Sequence, residues 1–197
     1  MVLDLGCCVA QTLRQLVFEG GIPSENLIGM DLRKDFVELG FELFGDRERW
    51  RGEFVVGDIL DEGDGCVRGL EGRVDVVHAA SFFHLFGWHD QVAVGVRIVS
   101  FFRKKAKNPL VLGRQVGEEN PWELEEYKAL GDKNARYHHN EESMQRLWDV
   151  IGDRTGTRWR VEAEMGKEGD VLENGEEVER TTIRYAVRAT AGFDSVV

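Results

Sequence analysis

Three aspartates stand at matching places in the first part of the chain. Asp4 lies in the short apolar run Val2–Leu5, Asp31 closes the run Asn26–Met30, and Asp58 follows Phe54–Val56. Asp31 comes 27 residues after Asp4, and Asp58 comes 27 residues after Asp31. A carboxylate can accept from two neighbouring hydroxyls. An acid at the end of the second strand is where doubly wound folds hold the ribose of a nucleoside. Taken singly, each Asp reads as a solvated strand end; in this order the three point to a nucleoside site. The first turn, Asp4-Leu5-Gly6-Cys7-Cys8-Val9-Ala10, contains no GxGxxG. A pyrophosphate needs such glycines at a helix N-terminus, so the ligand is expected to lack one, and a nicotinamide-dependent reductase is disfavoured.

The histidines are the candidate proton acceptors. His84 comes first, because it follows the fourth apolar run, where a pocket should open. Its plainer reading is a turn cap or a core residue. His138 and His139 precede a helix cap and read as exposed loop residues; His78 reads as core, and His89 as a helix start. A phenol, with a pKa of about 10, needs a base near neutral pH, whereas a carboxyl group, at about 4, is already ionised. Arg114 and Gln115 end the fifth run and can meet an acidic substrate, and Trp122 lies in a polar stretch that suits a lid. Cys7 and Cys8 are expected as small residues packed in a tight turn. With three Cys in all and no CxxC, neither a disulfide framework nor a metal site is expected, and a reducing, cytoplasmic setting follows.

Elements that position these residues alternate along the chain. A helical face at Leu13, Leu16 and Val17 stops at Gly20-Gly21, and a second helix presents Phe36, Leu39, Leu43 and Phe44. Asp58 to Gly72 reads as a loop or one poor helix, and Val74 to Ala80 as the fourth strand. His89 to Lys107 predicts a long helix whose last turn holds Arg103, Lys104, Lys105 and Lys107, against the negative end of the helix dipole. Pro109 to Val116 is the fifth strand. Residues 118–139 read as a lid. Asn140 caps a helix with Met144, Leu147, Trp148 and Ile151 on one face. Arg158 to Met165 and Thr181 to Thr190 alternate as strands, joined by an acidic hairpin loop, residues 166–180. The order predicts one α/β domain over residues 1–197. Its expected core is a Rossmann-like, doubly wound, mostly parallel seven-stranded sheet with a C-terminal antiparallel hairpin.

Composition narrows the partners. The 197 residues include 36 Asp plus Glu against 25 Lys plus Arg, a net charge of −11. That balance argues against a general nucleic-acid binder, which needs a basic surface. The uncharged stretch Val76 to His89 is 14 residues long and holds three His, too short and polar to span a membrane. The N-terminus shows no basic region or cleavage pattern of a signal peptide.

Four motifs in order resemble class I S-adenosylmethionine-dependent methyltransferases: Leu3-Asp4-Leu5-Gly6-Cys7-Cys8, Gly29-Met30-Asp31-Leu32, Gly57-Asp58-Ile59-Leu60, and the stretch from Val74 to Phe86. More narrowly, SFFHLF, GRQVG (Gly113 to Gly117) and TGTRW (Thr155 to Trp159) resemble fungal methyltransferases of meroterpenoid pathways. The resemblance implies S-adenosylmethionine as cofactor. It implies that Asp4 and Gly6 border the methionine moiety and that Asp31 holds the ribose hydroxyls. Leu32, Asp58 and Ile59 would meet the adenine. It further implies O-methylation of a carboxyl or hydroxyl group on a small secondary metabolite, and a homodimer. Two departures bear on this. Cys8 and Ala10 stand where the pattern has glycine, and a Cβ there crowds the approach to the cofactor. The family also has helices before the first strand, so a truncated gene model or a lost cap is expected. The alternative is a non-catalytic binding or dimerisation module.

Overall fold

The computed structural model describes residues 1–122, 136–171 and 177–191. Seven strands form one sheet: β1 (Val2–Leu5), β2 (Leu27–Asp31), β3 (Glu53–Val56), β4 (Val76–His78), β5 (Leu110–Val116), β6 (Arg158–Val171) and β7 (Glu177–Ala191). Their spatial order is β3-β2-β1-β4-β5-β7-β6. The first five pair in parallel, and β7 runs antiparallel to both β5 and β6. The expected doubly wound sheet with its terminal hairpin is therefore present. Chain direction across the sheet reverses between β1 and β4, so the loops after these two strands part there and leave a crevice.

Helices α1 (Gln11–Phe18), α2 (Lys34–Phe44), α3 (Gly65–Arg68), α4 (Trp88–Phe101) and α5 (Glu141–Thr155) connect the strands. The larger core joins Leu3, Leu5 and Val77 of the sheet to Ile98 of α4 and Leu147, Trp148 and Ile151 of α5. A smaller one packs Leu13 of α1 on Leu27, Cys7 and Ala10. Helix α5 starts as expected: the Asn140 side chain accepts from the Ser143 amide, Ser143 reciprocates, and Glu141 and Glu142 fill the first turn. Within Asp58 to Gly72 the helix is α3 alone, capped by Asp64.

Three expectations need correction. Helix α4 ends at Phe101, so the basic cluster lies beyond it and not in its last turn. The helix unwinds because Phe102 turns extended and bridges Val74, which places its ring 5.8 Å from that of Trp159. On α2 the buried residues are Val37 and Gly40, whereas Leu39 and Leu43 are 50% and 65% exposed. Gly40 decides that orientation: a Cβ there would sit 2.6 Å from the Val9 carbonyl oxygen. Finally, most of the acidic 166–180 segment is strand. Glu164 opposes Arg184 and Glu168 opposes Arg180, pairs that favour continuing the ladder. The centre of the expected lid, 123–135, lies outside the described residues. No helix among those described is long and apolar enough to cross a membrane.

Candidate functional site

The crevice at the strand ends opens into a cavity of about 450 Å³. One wall comes from the loops after β1, β2 and β3 and includes Gly6, Cys8, Asp31, Asp58 and Ile59. The other follows β4 and includes Ser81, Phe82, Leu85 and Phe86. Its lining holds two carboxylates and, among the described residues, no Lys, Arg or His.

Local backbone hydrogen bonds aim the acids. Asp31 Oδ2 accepts from the Cys8 amide at 2.8 Å, and its Oδ1 accepts from the Arg33 amide at 2.9 Å. Each oxygen keeps acceptor capacity for a ligand hydroxyl. Asp58 Oδ1 accepts from the Leu60 amide at 2.9 Å. The Gly6 and Cys7 amides both donate to the Met30 carbonyl, which ties the first loop to the end of β2. Leu32 is 66% exposed beside the acids. Of the expected cofactor residues, Gly6, Asp31, Leu32, Asp58 and Ile59 converge on this cavity.

Asp4 does not line it. Its carboxylate is buried and meets Nδ1 of His78 at 2.7 Å, on the register pair Asp4↔His78 between β1 and β4. It braces the base of the crevice from within the sheet. His78 is thus the partner of an acid and not an inert core residue.

Both departures from glycine have a backbone consequence. Cys8 has φ 49° and Ala10 φ 56°, in the left-handed region, as has Ser81 across the cavity at φ 50°. A side chain there costs about 1–2 kcal/mol per residue. Gly6, at φ +68°, is needed as glycine twice over, because a Cβ would lie 2.9 Å from the Phe82 ring. Cys7 is buried, and burial together with the charges of Asp4 and Asp31 pushes its thiol far above the ordinary range, so it is no nucleophile.

His84 lies in the short 3-10 helix Phe83–Leu85, next to but not lining the cavity. Its Nδ1 is buried and without a hydrogen-bond partner among the described residues. Its ring centroid is 6.3 Å from that of His138. Burial, then His138 and Arg136, lower its pKa, which keeps the ring neutral near pH 7. Gln115, also buried, accepts from the His84 amide through Oε1. Arg114 is taken up by an ion pair with Glu168. Trp122 is half exposed and lines a smaller cavity of about 180 Å³ with Glu118, Arg136 and His138.

His139 is not an exposed loop residue: it is fully buried. Its Nε2 meets Gln91 Oε1 at 2.9 Å and its Nδ1 meets Ser143 Oγ at 2.9 Å. An amide oxygen only accepts, so the proton sits on Nε2 and Ser143 donates to Nδ1. Gln91 Nε2 in turn donates to the Phe86 and Tyr137 carbonyls. The network holds the aromatic wall from behind. Sequence reasoning also passed over Phe82, Leu85 and Phe86 as lining, although their stretch, SFFHLF, was in view as a motif.

This sheet order, with the crevice at its carboxyl edge, is the class I S-adenosylmethionine-dependent methyltransferase fold. Solved structures share it. The 1,6-didemethyltoxoflavin-N1-methyltransferase of Burkholderia thailandensis superposes with a TM-score of 0.61 at 14% identity, over 96% of this chain and 71% of that one. A phosphoethanolamine N-methyltransferase 2 of Haemonchus contortus gives 0.60 at 15%, over 94% and 47%. In sequence the chain is similar to fungal methyltransferases. It is 43% identical to O-methyltransferase phiE of Fungal sp. (strain ATCC 74256) over 159 residues, which is 81% of this chain and 51% of that protein. It is 39% identical to O-methyltransferase atr3 of Stereocaulon alpinum, over 83% of this chain and 46% of that protein. For methyltransferase adrK of Penicillium roqueforti the values are 36%, 82% and 56%. The chain therefore spans about half the length of the relatives it matches. No family model matches it.

Proposed function

We propose that the chain serves S-adenosylmethionine-dependent methyl transfer to a small molecule. The reaction is O-methylation of a carboxyl or hydroxyl group of a fungal secondary metabolite. The observation that carries this is the Asp31 carboxylate, aimed by two backbone amides into a cavity with one aromatic wall and, among the described residues, no cation. Such a lining suits a nucleoside that bears positive and not negative charge. In support, relatives named O-methyltransferases are 43% and 39% identical. Similar folds are described with S-adenosylhomocysteine or S-adenosyl-L-methionine bound.

Under this reading Asp31 holds the ribose hydroxyls, while Leu32, Asp58 and Ile59 meet the adenine. Gly6 borders the methionine end, and Asp4 supports that end through the sheet. When bound, the cofactor supplies an electrophilic methyl group on a sulfonium. What the chain contributes is position and exclusion of water. Phe82, Leu85 and Phe86 wall off solvent. A carboxyl acceptor arrives ionised; for a hydroxyl acceptor, neutral His84 accepts the proton. A homodimer and a cytoplasmic location belong to the same proposal, the former supported by the exposed Phe18, Leu39 and Leu43.

Calorimetry with S-adenosylhomocysteine tests the site. Binding is expected and should weaken about 100-fold in Asp31→Ala, the worth of hydrogen bonds to a charged group. No binding at millimolar ligand rejects the reading. The left-handed Cys8 and Ala10 favour a second reading, a non-catalytic relative, and binding without turnover on any acceptor would support it. His84→Ala should lower kcat about 100-fold or more on a hydroxyl acceptor and leave a carboxyl acceptor nearly unchanged. Equal rates on both would remove His84 from the chemistry.

A further inference from the structure

The loop after β1 takes a conformation that its residues disfavour, and something must hold it there. Cys8 and Ala10 are both left-handed, and Ala10 is also the N-cap of α1, with no side-chain cap. One side chain gathers this loop. Arg14, 5% exposed, donates from Nη1 to the Val9 carbonyl at 2.7 Å and the Ala10 carbonyl at 3.3 Å. Its other edge is a fork on Asp46, Nε to Oδ2 at 2.7 Å and Nη2 to Oδ1 at 2.9 Å. The guanidinium lies 4.4 Å from the Phe44 ring and 5.2 Å from that of Trp50. Arg14 holds the Asp46 carboxyl below the usual carboxylate range. On the opposite side Gly40 closes against the Val9 carbonyl.

This geometry does more than fill space. Both loop carbonyls are gripped next to the left-handed residues, and the grip is anchored on Asp46, just beyond the end of α2. Next to it, the Cys8 amide is one of the two donors that orient Asp31. We propose that Arg14, held by Asp46, is the positioning residue that keeps Cys8 and Ala10 left-handed without glycine at either place, and so presents Cys8 and Asp31 to the nucleoside. The last clause rests on the function proposed above; the clamp itself does not. Arg14 touches no lining atom and acts through the loop. A lysine cannot replace it, because the fork and the two carbonyl bonds together use four planar donors.

A double-mutant cycle separates this role from simple packing. Glycine adopts the left-handed conformation freely, so a Cys8→Gly/Ala10→Gly background should need the clamp less. In the natural loop, Arg14→Met should weaken S-adenosylhomocysteine about tenfold, the equilibrium cost of releasing one strained residue. In the glycine background the loss should shrink to about threefold or less. Asp46→Asn should follow the same pattern more mildly and replaces Arg14→Met if that variant does not fold. Hydrogen exchange at residues 8–11 is read on the ligand-free proteins. It should rise in Arg14→Met and Asp46→Asn, and rise less in the glycine background. Equal losses in both backgrounds, in affinity and in exchange, overturn the clamp. If the parent chain binds no S-adenosylhomocysteine, the nucleoside reading falls while exchange still decides on Arg14.

Discussion

The two walls of the cavity are held by different means. On the polar side backbone amides of exposed loops orient the acids: Asp31 by Arg33 two residues on and by Cys8 in the neighbouring loop, Asp58 by Leu60. On the aromatic side the support is a buried side-chain network. The Phe86 carbonyl takes bonds from Gln91 and from the Tyr137 amide, and Gln91 is itself bound to His139. Support from exposed loops can be lost without unfolding; the buried network is part of the core. Damage to the polar wall should therefore cost affinity first, and damage behind the aromatic wall should cost stability first.

The walls touch at Gly6 and Phe82, and substitution there should produce the largest combined effect. Gly6→Ala places a Cβ 2.9 Å from the Phe82 ring and keeps φ at +68°. Left-handed strain and overpacking together are worth about 2–4 kcal/mol. For a chain of this length that lowers Tm by roughly 5–15 °C. Binding of S-adenosylhomocysteine should disappear in the same variant. Shrinking the opposing ring in Gly6→Ala/Phe82→Leu should recover part of the Tm, because only the steric share is relieved. A Gly6→Ala protein with unchanged Tm and affinity would mean that the two walls are independent.

Much of the polar wall was legible from residue type and order, because its acids sit where strands end. The aromatic wall was not. Nothing near His139 in sequence announces Gln91, which lies 48 residues away and meets it only in the fold. A histidine beside a helix cap looks solvated until that helix packs. The α2 stripe misled for a related reason. Periodicity favoured Leu39 and Leu43, whereas the helix docks through Gly40, whose signal is the absence of a side chain. The end of α4 depended on Phe102 bridging Val74, a long-range pairing that overrides helix propensity. The seven-strand alternation could be read because each strand carries its own apolar run and turn. The strain at Cys8 and Ala10 was half visible: the missing glycines were plain in the sequence, but the left-handed backbone and the arginine that grips it were not.

The contrast between the walls makes a smaller, pH-dependent prediction. Burial lowers the His139 pKa from 6.5 to about 3, so the native protein keeps this ring neutral. Below pH 6.5 the unfolded chain takes up a proton that the native chain refuses. Stability from this group is complete above pH 6.5 and declines as pH falls from there towards 3. At pH 5 the loss is on the order of 2 kcal/mol, or a Tm decrease of roughly 4–8 °C. His84 and His138, whose pKa values burial also lowers, add in the same direction. His139→Gln keeps a donor for Gln91 and an acceptor for Ser143 but does not titrate. Calorimetric Tm values at pH 7.5 and pH 5 should therefore differ less in His139→Gln than in the parent, even if the variant starts lower. Affinity for S-adenosylhomocysteine should change little over that range while the protein stays folded, since the polar wall carries no histidine. An affinity that fell in step with Tm would show that the network behind Phe86 shapes the nucleoside site as well as the core.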